Sequence, residues 1–287
     1  MDKKISMRIS DTLSSLTRYF TQHGIEHART DAEWLLATVL GCKRLELFLD
    51  IHRALSAEQV AQLRSWSIRR AKREPLQYII GSVEFFGKTL QVDPRVLIPR
   101  PETEELVYQL QQRFQGKRPP ATGLDLGTGS GAIAIALASL FPQLQIVAVD
   151  HSMAALEVAQ RNAEKHFFHQ RIQFLCSDWF EKVTGLFDVI VANPPYLGDD
   201  EIEEAQPEVR CFEPREALWS AENGLSAGKK ILSEAPRYLN PGGVLVMETG
   251  CRQMAALRRM ATGCGYTKTQ STLDLSGRER YIWEWVA

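Results

Sequence analysis

A turn with three glycines joins a short apolar strand to an apolar helix near the middle of the chain. The strand is Leu124-Asp125-Leu126, the turn is Gly127-Thr128-Gly129-Ser130-Gly131, and the helix is predicted over residues 133–140. Glycine tolerates the backbone of such a turn and lets backbone N–H groups approach a ligand closely at a helix N-terminus. The turn therefore predicts a strand–turn–helix unit at this point, in the place where a phosphate- or nucleoside-containing ligand binds.

Strand and helix patterns alternate from residue 123 to the end. Apolar runs predict further strands at 145–149, 172–175, 188–192, 244–247, 267–273 and 280–286, and helical periodicity predicts helices at 154–165, 227–238 and 253–263. Alternation of this kind is typical of α/β proteins with a mostly parallel, doubly wound sheet.

The first part of the chain differs from the rest. Residues 1–75 show only helical spacing, as at Leu13, Leu16 and Phe20, and predict a small helical bundle in which Asp31 and Ser56 are N-caps. Short apolar runs broken by glycine and proline at 76–100 predict a β-hairpin linker. The remainder, 101–287, is then the α/β domain, and its first helix is expected to open at Glu102 or Thr103.

Composition narrows the class of protein. Hydrophobic residues make up 44% of the chain, the formal net charge is −1, and no apolar run approaches transmembrane length. The five cysteines contain no CxxC pair, so neither a disulfide framework nor a metal site is expected. The start, Met1-Asp2-Lys3-Lys4, leads into no signal-peptide core, so we expect a cytoplasmic protein.

Charge is unevenly distributed. Residues 1–80 carry 13 Lys/Arg against 9 Asp/Glu, and the remainder carries 21 against 26. Arg69, Arg70, Lys72 and Arg73 concentrate the positive charge. Two interpretations stay open for this cluster: a solvated helix terminus, or a contact for an acidic partner or an RNA-containing assembly.

Acidic residues at strand ends point to a nucleoside-containing cofactor. Asp150 ends the strand after the glycine turn, 19 residues beyond Gly131, where an acid can hold both ribose hydroxyls. The turn fits a dinucleotide fingerprint when read as G-x-G-x-x-A. It fits an S-adenosylmethionine site when read as D-x-G-x-G-x-G from Asp125, which then holds the cofactor's ammonium directly or through the loop. Asp178 and Trp179 end the third strand and are candidates to bind and cover the adenine.

Asn193-Pro194-Pro195-Tyr196 follows the buried-strand run 188–192. Proline cannot continue a sheet ladder, so the strand ends here in a stiff turn. The turn presents carbonyl oxygens, an amide and an aromatic ring, which together suit a planar –NH2 group.

These motifs together resemble those of class I amino-methyltransferases. More narrowly, the chain resembles the bacterial peptide chain release factor glutamine N5-methyltransferases from about residue 74 to its end. The narrower resemblance rests on the stretches Glu74-Pro75-Leu76-Gln77-Tyr78-Ile79, Glu84-Phe85-Phe86-Gly87, Leu97-Ile98-Pro99-Arg100-Pro101-Glu102-Thr103-Glu104, Asn193-Pro194-Pro195-Tyr196, Glu213-Pro214 with Ala217-Leu218, and Asp274-Leu275 with Gly277-Arg278.

The resemblance implies a seven-stranded Rossmann-like methyltransferase sheet, with its last strand antiparallel, behind a helical domain that recognises the release factor. It implies methyl transfer from S-adenosylmethionine, with S-adenosylhomocysteine as product, to the glutamine of a Gly-Gly-Gln motif. We expect cofactor contacts from Asp125, Gly127, Thr128, Gly129, Ser130, Gly131, Asp150, Asp178, Trp179 and Asn193.

An amide nitrogen is a weak nucleophile, so the reaction needs alignment more than a strong base. We expect the Asn193 side-chain oxygen and the Pro194 carbonyl to accept the two amide hydrogens, and Tyr196 to pack against the amide plane. Pro195 and Arg100 are further candidates for substrate binding, and we expect a monomer that needs no nucleic acid.

Three alternatives compete with this interpretation. A nucleic-acid methyltransferase acting on adenine N6 or guanine N2 would use the same chemistry on a flipped base. The acidic balance of residues 81–287 disfavours it, because such an enzyme needs a basic cleft. An NAD-dependent oxidoreductase would leave Asn193–Tyr196 without a role, and a non-catalytic cofactor-binding module would have no use for Asn193.

Overall fold

The structure is a computed structural model and describes residues 7–287. The prediction made for Met1 to Lys4 therefore lies outside the described residues. The strands are β1 (Ser82–Phe85), β2 (Lys88–Gln91), β3 (Thr122–Leu126), β4 (Gln145–Asp150), β5 (Ile172–Cys176), β6 (Phe187–Ala192), β7 (Leu239–Glu248), β8 (Lys268–Leu273) and β9 (Glu279–Trp285). The helices are α1 (Ile9–Gln22), α2 (Ala28–Leu40), α3 (Ala57–Ala71), α4 (Leu76–Ile80), α5 (Pro101–Phe114), α6 (Ala132–Leu140), α7 (Met153–Lys165), α8 (Asp199–Glu204), α9 (Pro207–Phe212), α10 (Ala221–Gly224), α11 (Ser226–Glu234) and α12 (Met254–Ala261).

The chain divides into two compact units. The helical unit runs to Gly81 and also includes α9, while the α/β unit comprises Ser82–Gln206 and Glu213–Ala287. The segment 76–80, where the predicted linker begins, is the short helix α4, and the hairpin β1–β2 follows it. Three short helices, Arg44–Phe48, Arg215–Ala217 and Ala235–Tyr238, have the tighter 3-10 form.

The helical unit packs around its own apolar core, which includes Phe20, Leu35, Leu36 and Leu63. Ser56 caps α3 as predicted, because its hydroxyl accepts from the Gln59 backbone N–H at 3.1 Å and the Gln59 side chain accepts from the Ser56 N–H at 2.9 Å. Reciprocal hydrogen bonds of this kind satisfy donors that a helix start leaves unpaired.

The predicted N-cap role of Asp31 is wrong. Asp31 lies inside α2, where it is buried and accepts from Nε of Arg70 at 2.7 Å. A buried carboxylate needs a partner, and the neighbouring guanidinium provides it, so Asp31 faces the core and cannot cap the helix.

The α/β unit is built on a sheet of seven strands in the order β5-β4-β3-β6-β7-β9-β8. Strands β3 to β7 pair in parallel, and β9, the last strand, runs antiparallel to both β7 and β8. This confirms the predicted Rossmann-like sheet and its antiparallel last strand.

Both faces of the sheet are buried. On β6, Val189 and Val191 belong to one apolar cluster, while Ile190 and Ala192 belong to another. Side chains of a strand alternate between faces, so a continuous apolar run is what a strand covered on both sides requires. Within residues 7–287, no helix has the length and apolar character needed to cross a membrane.

Candidate active site

The register of the sheet aligns the predicted site residues in one row. Leu126 on β3 lies opposite Val149 on β4 and Ala192 on β6, and Ala192 lies opposite Met247 on β7. The residue that follows each of these positions is Gly127 after β3, Asp150 at the end of β4, Asn193 after β6 and Glu248 at the end of β7. The carboxyl ends of the strands thus bring the glycine turn, the acid after it and the Asn-Pro-Pro-Tyr turn to a single edge, where doubly wound folds bind ligands.

The glycine turn adopts a conformation that other residues resist. Gly127, Gly129 and Gly131 have φ of 72°, 54° and 81°. A Cβ on Gly131 would lie 3.2 Å from the Cβ of Ala159, so the turn also packs closely against α7. Asp150 holds the turn, since one carboxylate oxygen accepts from the Gly129 N–H at 2.9 Å and the other accepts from the Ser152 N–H at 2.9 Å.

Asp125 supports the turn from beneath. Its Oδ2 accepts from the Thr128 hydroxyl at 2.7 Å and from the Ala134 N–H at 3.1 Å, and the residue is fully buried. Burial raises the pKa of Asp125 to about 7. Of the two roles predicted for Asp125, this geometry favours support through the loop over direct contact with a ligand.

A cleft opens above the row of strand ends. Predicted site residues that line it are Gly127, Gly129, Asp150, Trp179, Asn193 and Pro195, and they are joined by His151, Ser152, Ala155, 95–97, Pro214, Glu216 and Ala217. A larger cavity of about 520 Å³ lies in the helical unit, but none of the predicted site residues lines it. The cleft is therefore the candidate active site.

Of the two residues predicted to bind the adenine, Trp179 lines the cleft, whereas Asp178 forms a salt bridge with Lys230. The Trp179 ring lies 3.6 Å from where a Cβ on Gly127 would sit, so the ring borders the glycine turn. The carboxylate of Asp178 pairs with the ammonium of Lys230 at 2.9 Å. An adenine contact from Asp178 stays a prediction.

The side chains of the Asn-Pro-Pro-Tyr turn are held by a buried hydrogen-bond chain. Asn193 Nδ2 donates to Thr103 Oγ1 at 2.9 Å, and Thr103 Oγ1 donates to Glu248 Oε2 at 2.7 Å. The Tyr196 hydroxyl donates to Glu248 Oε1 at 3.2 Å. Burial, opposed by the Thr103 hydrogen bond, leaves the pKa of Glu248 raised to about 6. Burial and the negative charge of Glu248 raise the pKa of Tyr196, so its hydroxyl stays protonated as a donor.

The backbone of the same turn is held from the other side. Gln253 Nε2 donates to the Tyr196 carbonyl at 3.2 Å and to the Asn223 carbonyl at 3.0 Å. Gly224, with φ of 84°, lies so close that a Cβ there would be 2.0 Å from the Tyr196 carbonyl oxygen. Both contacts fix the direction of the chain after Asn193.

Arg100 is engaged within the α/β unit. Its Nη2 donates to Glu213 Oε1 at 2.5 Å, and Glu213 Oε2 accepts from the Ile98 N–H at 3.1 Å. The Glu213 side chain is buried, whereas that of Arg100 is partly exposed. The salt bridge ties the chain before α5 to the chain after α9, and a substrate contact from Arg100 stays a prediction.

Sequence reasoning missed four residues that support the site: Thr103, Glu248, Gln253 and Gly224. The expectation that Glu102 or Thr103 opens α5 is wrong, because the helix begins at Pro101 after Arg100. A Pro at the first helical position needs no N–H partner. Thr103 is therefore the third residue of the helix and not its cap, and its hydroxyl donates to Glu248. The one available signal was Glu248 itself, an acid directly after the apolar run 244–247. In the described part of the chain, no group of His, Cys, Asp and Glu is arranged to hold a metal ion.

Known proteins are similar to this chain over most of its length, in both the helical unit and the α/β unit. A family model described as the PrmC N-terminal domain matches residues 11–81, and one described as a methyltransferase domain matches residues 119–283. A release factor glutamine methyltransferase of Geobacter sulfurreducens is 42% identical over 265 residues, which cover 92% of this chain and 92% of the relative. One from Rhodopirellula baltica is 38% identical, with 93% and 92% covered.

Solved structures share the fold at lower identity. A methyltransferase from Pyrococcus furiosus superposes with a TM-score of 0.52 at 19% identity, over 80% of this chain and 98% of the other. The 16S rRNA N2 G1207 methyltransferase of T. thermophilus, solved with AdoMet and guanosine, gives 0.55 at 22% identity over 72% and 50%. At these identities the likeness extends to the fold alone. From its relatives of 42% and 38% identity along nearly its whole length, this chain belongs to the release factor glutamine methyltransferase family.

Proposed function

We propose that this protein transfers a methyl group from S-adenosylmethionine to the side-chain amide nitrogen of the glutamine in the Gly-Gly-Gln motif of peptide chain release factors. Family membership over nine-tenths of the chain supports the proposal. The observation that carries it is the row of Asp150, Gly127 and Asn193 at neighbouring strand ends, which combines a nucleoside site with an amide-binding turn.

The residues of the cleft fit the cofactor. A Cβ at Gly127 would lie 3.6 Å from the Trp179 ring and 4.0 Å from the Asn193 carbonyl oxygen, in space that the cleft otherwise keeps for a ligand. We expect the backbone of 127–131 and Asp150 to hold the ribose and the amino-acid part, and Trp179 to cover the adenine. When bound, S-adenosylmethionine supplies an electrophilic methyl group.

The protein's own task is to align the amide nitrogen. Asn193 Nδ2 is already bonded to Thr103, so its Oδ1 is the atom left to accept an amide hydrogen from the substrate. The Pro194 carbonyl accepts the second hydrogen, Pro195 shapes the turn, and the Tyr196 ring packs on the amide plane. Two accepted hydrogen bonds raise the electron density on nitrogen and set its direction. The methylated amide then loses its proton readily, so no general base is needed.

The helical unit is proposed to recognise the release factor, with the catalytic residues all in the α/β unit. We also expect a monomer, a cytoplasmic location and no requirement for nucleic acid. Light scattering at micromolar concentration tests the monomer, since a dimer would double the measured mass.

One assay tests the proposed reaction. The protein is incubated with methyl-labelled S-adenosylmethionine and a purified release factor, with the Gln-to-Ala variant of its Gly-Gly-Gln motif, and with ribosomal RNA or DNA. We expect label on the release factor only, and mass spectrometry should place it on the glutamine side chain. Label on nucleic acid alone would favour adenine or guanine as substrate and overturn the proposal.

A further inference from the structure

A single buried carboxylate accepts the hydrogen bonds that Thr103 and Tyr196 donate beside the Asn-Pro-Pro-Tyr turn. Glu248 has no exposed surface, and its two oxygens accept from Thr103 at 2.7 Å and from Tyr196 at 3.2 Å. An ionised carboxylate has no hydrogen to donate, so both neighbours must act as donors towards it.

The consequence passes through Thr103 to Asn193. A threonine hydroxyl carries one hydrogen, and Thr103 gives it to Glu248. Towards Asn193 the same oxygen can then only accept, so the Asn193 atom 2.9 Å away is the amide nitrogen. The carbonyl oxygen of Asn193 must therefore point away from Thr103 and remain available as an acceptor.

The geometry points to Thr103 and Glu248 as positioning residues that set the orientation of the Asn193 amide and so keep its oxygen turned towards the substrate –NH2 group. This inference rests on the proposed function for the identity of the substrate. It adds two residues that touch neither substrate nor cofactor, and it gives a buried acid a role that is not general-base catalysis.

The protonation state of Glu248 should then determine the orientation of the Asn193 amide. A protonated carboxyl has a hydrogen of its own and can donate to Thr103, which would turn the Thr103 hydroxyl towards Asn193 and favour the reversed amide. Burial is opposed by the Thr103 hydrogen bond and the positive charge of Arg280, and it leaves the pKa of Glu248 at about 6. The ionised form is the aligned form, so activity should rise as the pH increases through about 6.

The charged and titratable groups around Glu248 come from three directions. Arg280 favours the ionised form and itself pairs with Asp274 at 3.4 Å, while Glu102 on α5 opposes ionisation. Tyr196 and Tyr281 also face Glu248, and both have raised pKa values because of burial, so neither titrates near the pKa of Glu248.

The same sheet contains a matched control. Thr269 on β8 donates to Glu284 on β9 at 2.7 Å, and Glu284 is also fully buried, with its pKa raised by burial to about 7. Glu284 lies opposite Leu245, three residues before Glu248, so the two acids are offset by on the order of 10 Å along the strands and their side chains lie on opposite faces of the sheet. This pair has the same chemistry but no connection to Asn193.

The kinetic test compares T103V, T103S, E248Q, T269V and E284Q using a release factor as substrate. We expect T103V and E248Q to lower kcat by about tenfold or more while the Kd for S-adenosylmethionine stays within about twofold, since the glycine turn and Asp150 are unchanged in both variants. T103S keeps the hydroxyl and should restore kcat, and the controls at Thr269 and Glu284 should match the wild type. The acid limb of the pH–activity profile, meaning the fall in activity below about pH 6, should be present in the wild type and absent in E248Q.

A second measurement needs neither a methyl acceptor nor a destabilised variant. Side-chain nitrogen NMR of the wild type should show the Asn193 Nδ2 resonance moving with a midpoint near pH 6, in step with the acid limb. An Asn193 resonance that is constant from pH 5 to 8, a T103V variant with normal kcat, or an E248Q variant that retains the acid limb would overturn the inference. Failure of the proposed function would appear separately, as a wild type without activity on release factors.

Discussion

At the scale of the residue, the two acceptors proposed for the substrate amide, Asn193 Oδ1 and the Pro194 carbonyl, carry no charge. Asn193 follows the last residue of β6, and it lines the cleft together with Gly127. A neutral amide can align another amide without removing its proton, and this suits a nucleophile that becomes acidic only after it has reacted. The buried acids nearby, Asp125 and Glu248, hold loops and side chains in place.

Replacing Asn193 with Ala should lower kcat about 10²- to 10³-fold, the scale seen when one pre-positioned polar contact is removed from an active site. Calorimetry should find cofactor binding nearly unchanged, because the glycine turn is intact. The matched control is N240A: Asn240 also bonds through Nδ2, to Asp188 at 2.8 Å, but Asp188 lies at the start of β6, at the opposite end of the strand. Turnover of N193A within a few-fold of N240A would contradict the role given to Asn193.

At the scale of the element, the site depends on how strands end. Parallel pairing sets the strand ends in a row, and the glycine turn and Asn193–Tyr196 are irregular segments that follow two of these strands. Residues 222–224 of the short α10 have left-handed backbones and pack against Asn193–Tyr196. Glu222 and Asn223 have φ of 56° and 55° before Gly224 at 84°, an unusual run for residues with side chains. This run places the Gly224 backbone against the Tyr196 carbonyl.

Gly224→Ala should therefore impair catalysis more than it impairs folding. The added Cβ would lie 2.0 Å from the Tyr196 carbonyl oxygen, so the Asn-Pro-Pro-Tyr turn must shift, and we expect kcat to fall by at least about tenfold. Gly242→Ala is the control, because Gly242 also has a left-handed φ of 76° but no atom near the added Cβ. The left-handed φ should cost each variant about 1 kcal/mol in chemical denaturation, the overlap at Tyr196 should cost G224A roughly a further 1–3 kcal/mol, and only G224A should lose turnover. Equal kcat values for the two would exclude the steric argument.

At the scale of the whole molecule, opposite charges are paired within units. The basic cluster Arg69–Arg73 ends α3, and much of its charge meets acids of the same unit: Arg69 pairs with Glu74, Arg70 with Asp31 and Glu208, and Arg73 with Glu208. Burial alone would raise the pKa of Glu208, but the hydrogen bonds from Arg73 and Arg70 outweigh it and lower the pKa. Arg70 is buried, so the simple interpretation of a solvated helix terminus does not hold for it.

Two adjacent arginines on α3 should differ sharply in their effect on stability. Arg70→Ala leaves the buried Asp31 without its cation, and the free energy of unfolding should fall by about 3 kcal/mol. Arg69→Ala removes a pair whose arginine is 40% exposed, and the loss should not exceed about 1 kcal/mol. Urea denaturation monitored by circular dichroism measures both, and equal losses would show that the Asp31–Arg70–Glu208 network contributes no more than a surface pair.

The sequence by itself determined the class of fold, the family and which motifs to expect at the ends of the parallel strands. Apolar runs, the glycine turn and the Asn-Pro-Pro-Tyr turn are local patterns, so they can be interpreted without knowing what lies beside them. Tertiary structure decided which partners the polar side chains find. Asp31 looked like a helix cap but pairs with Arg70, 39 residues away, and Thr103 looked like a helix start but bonds to Glu248, 145 residues away. No local pattern encodes such contacts, because pairing of strands and packing of helices decide which buried polar groups meet.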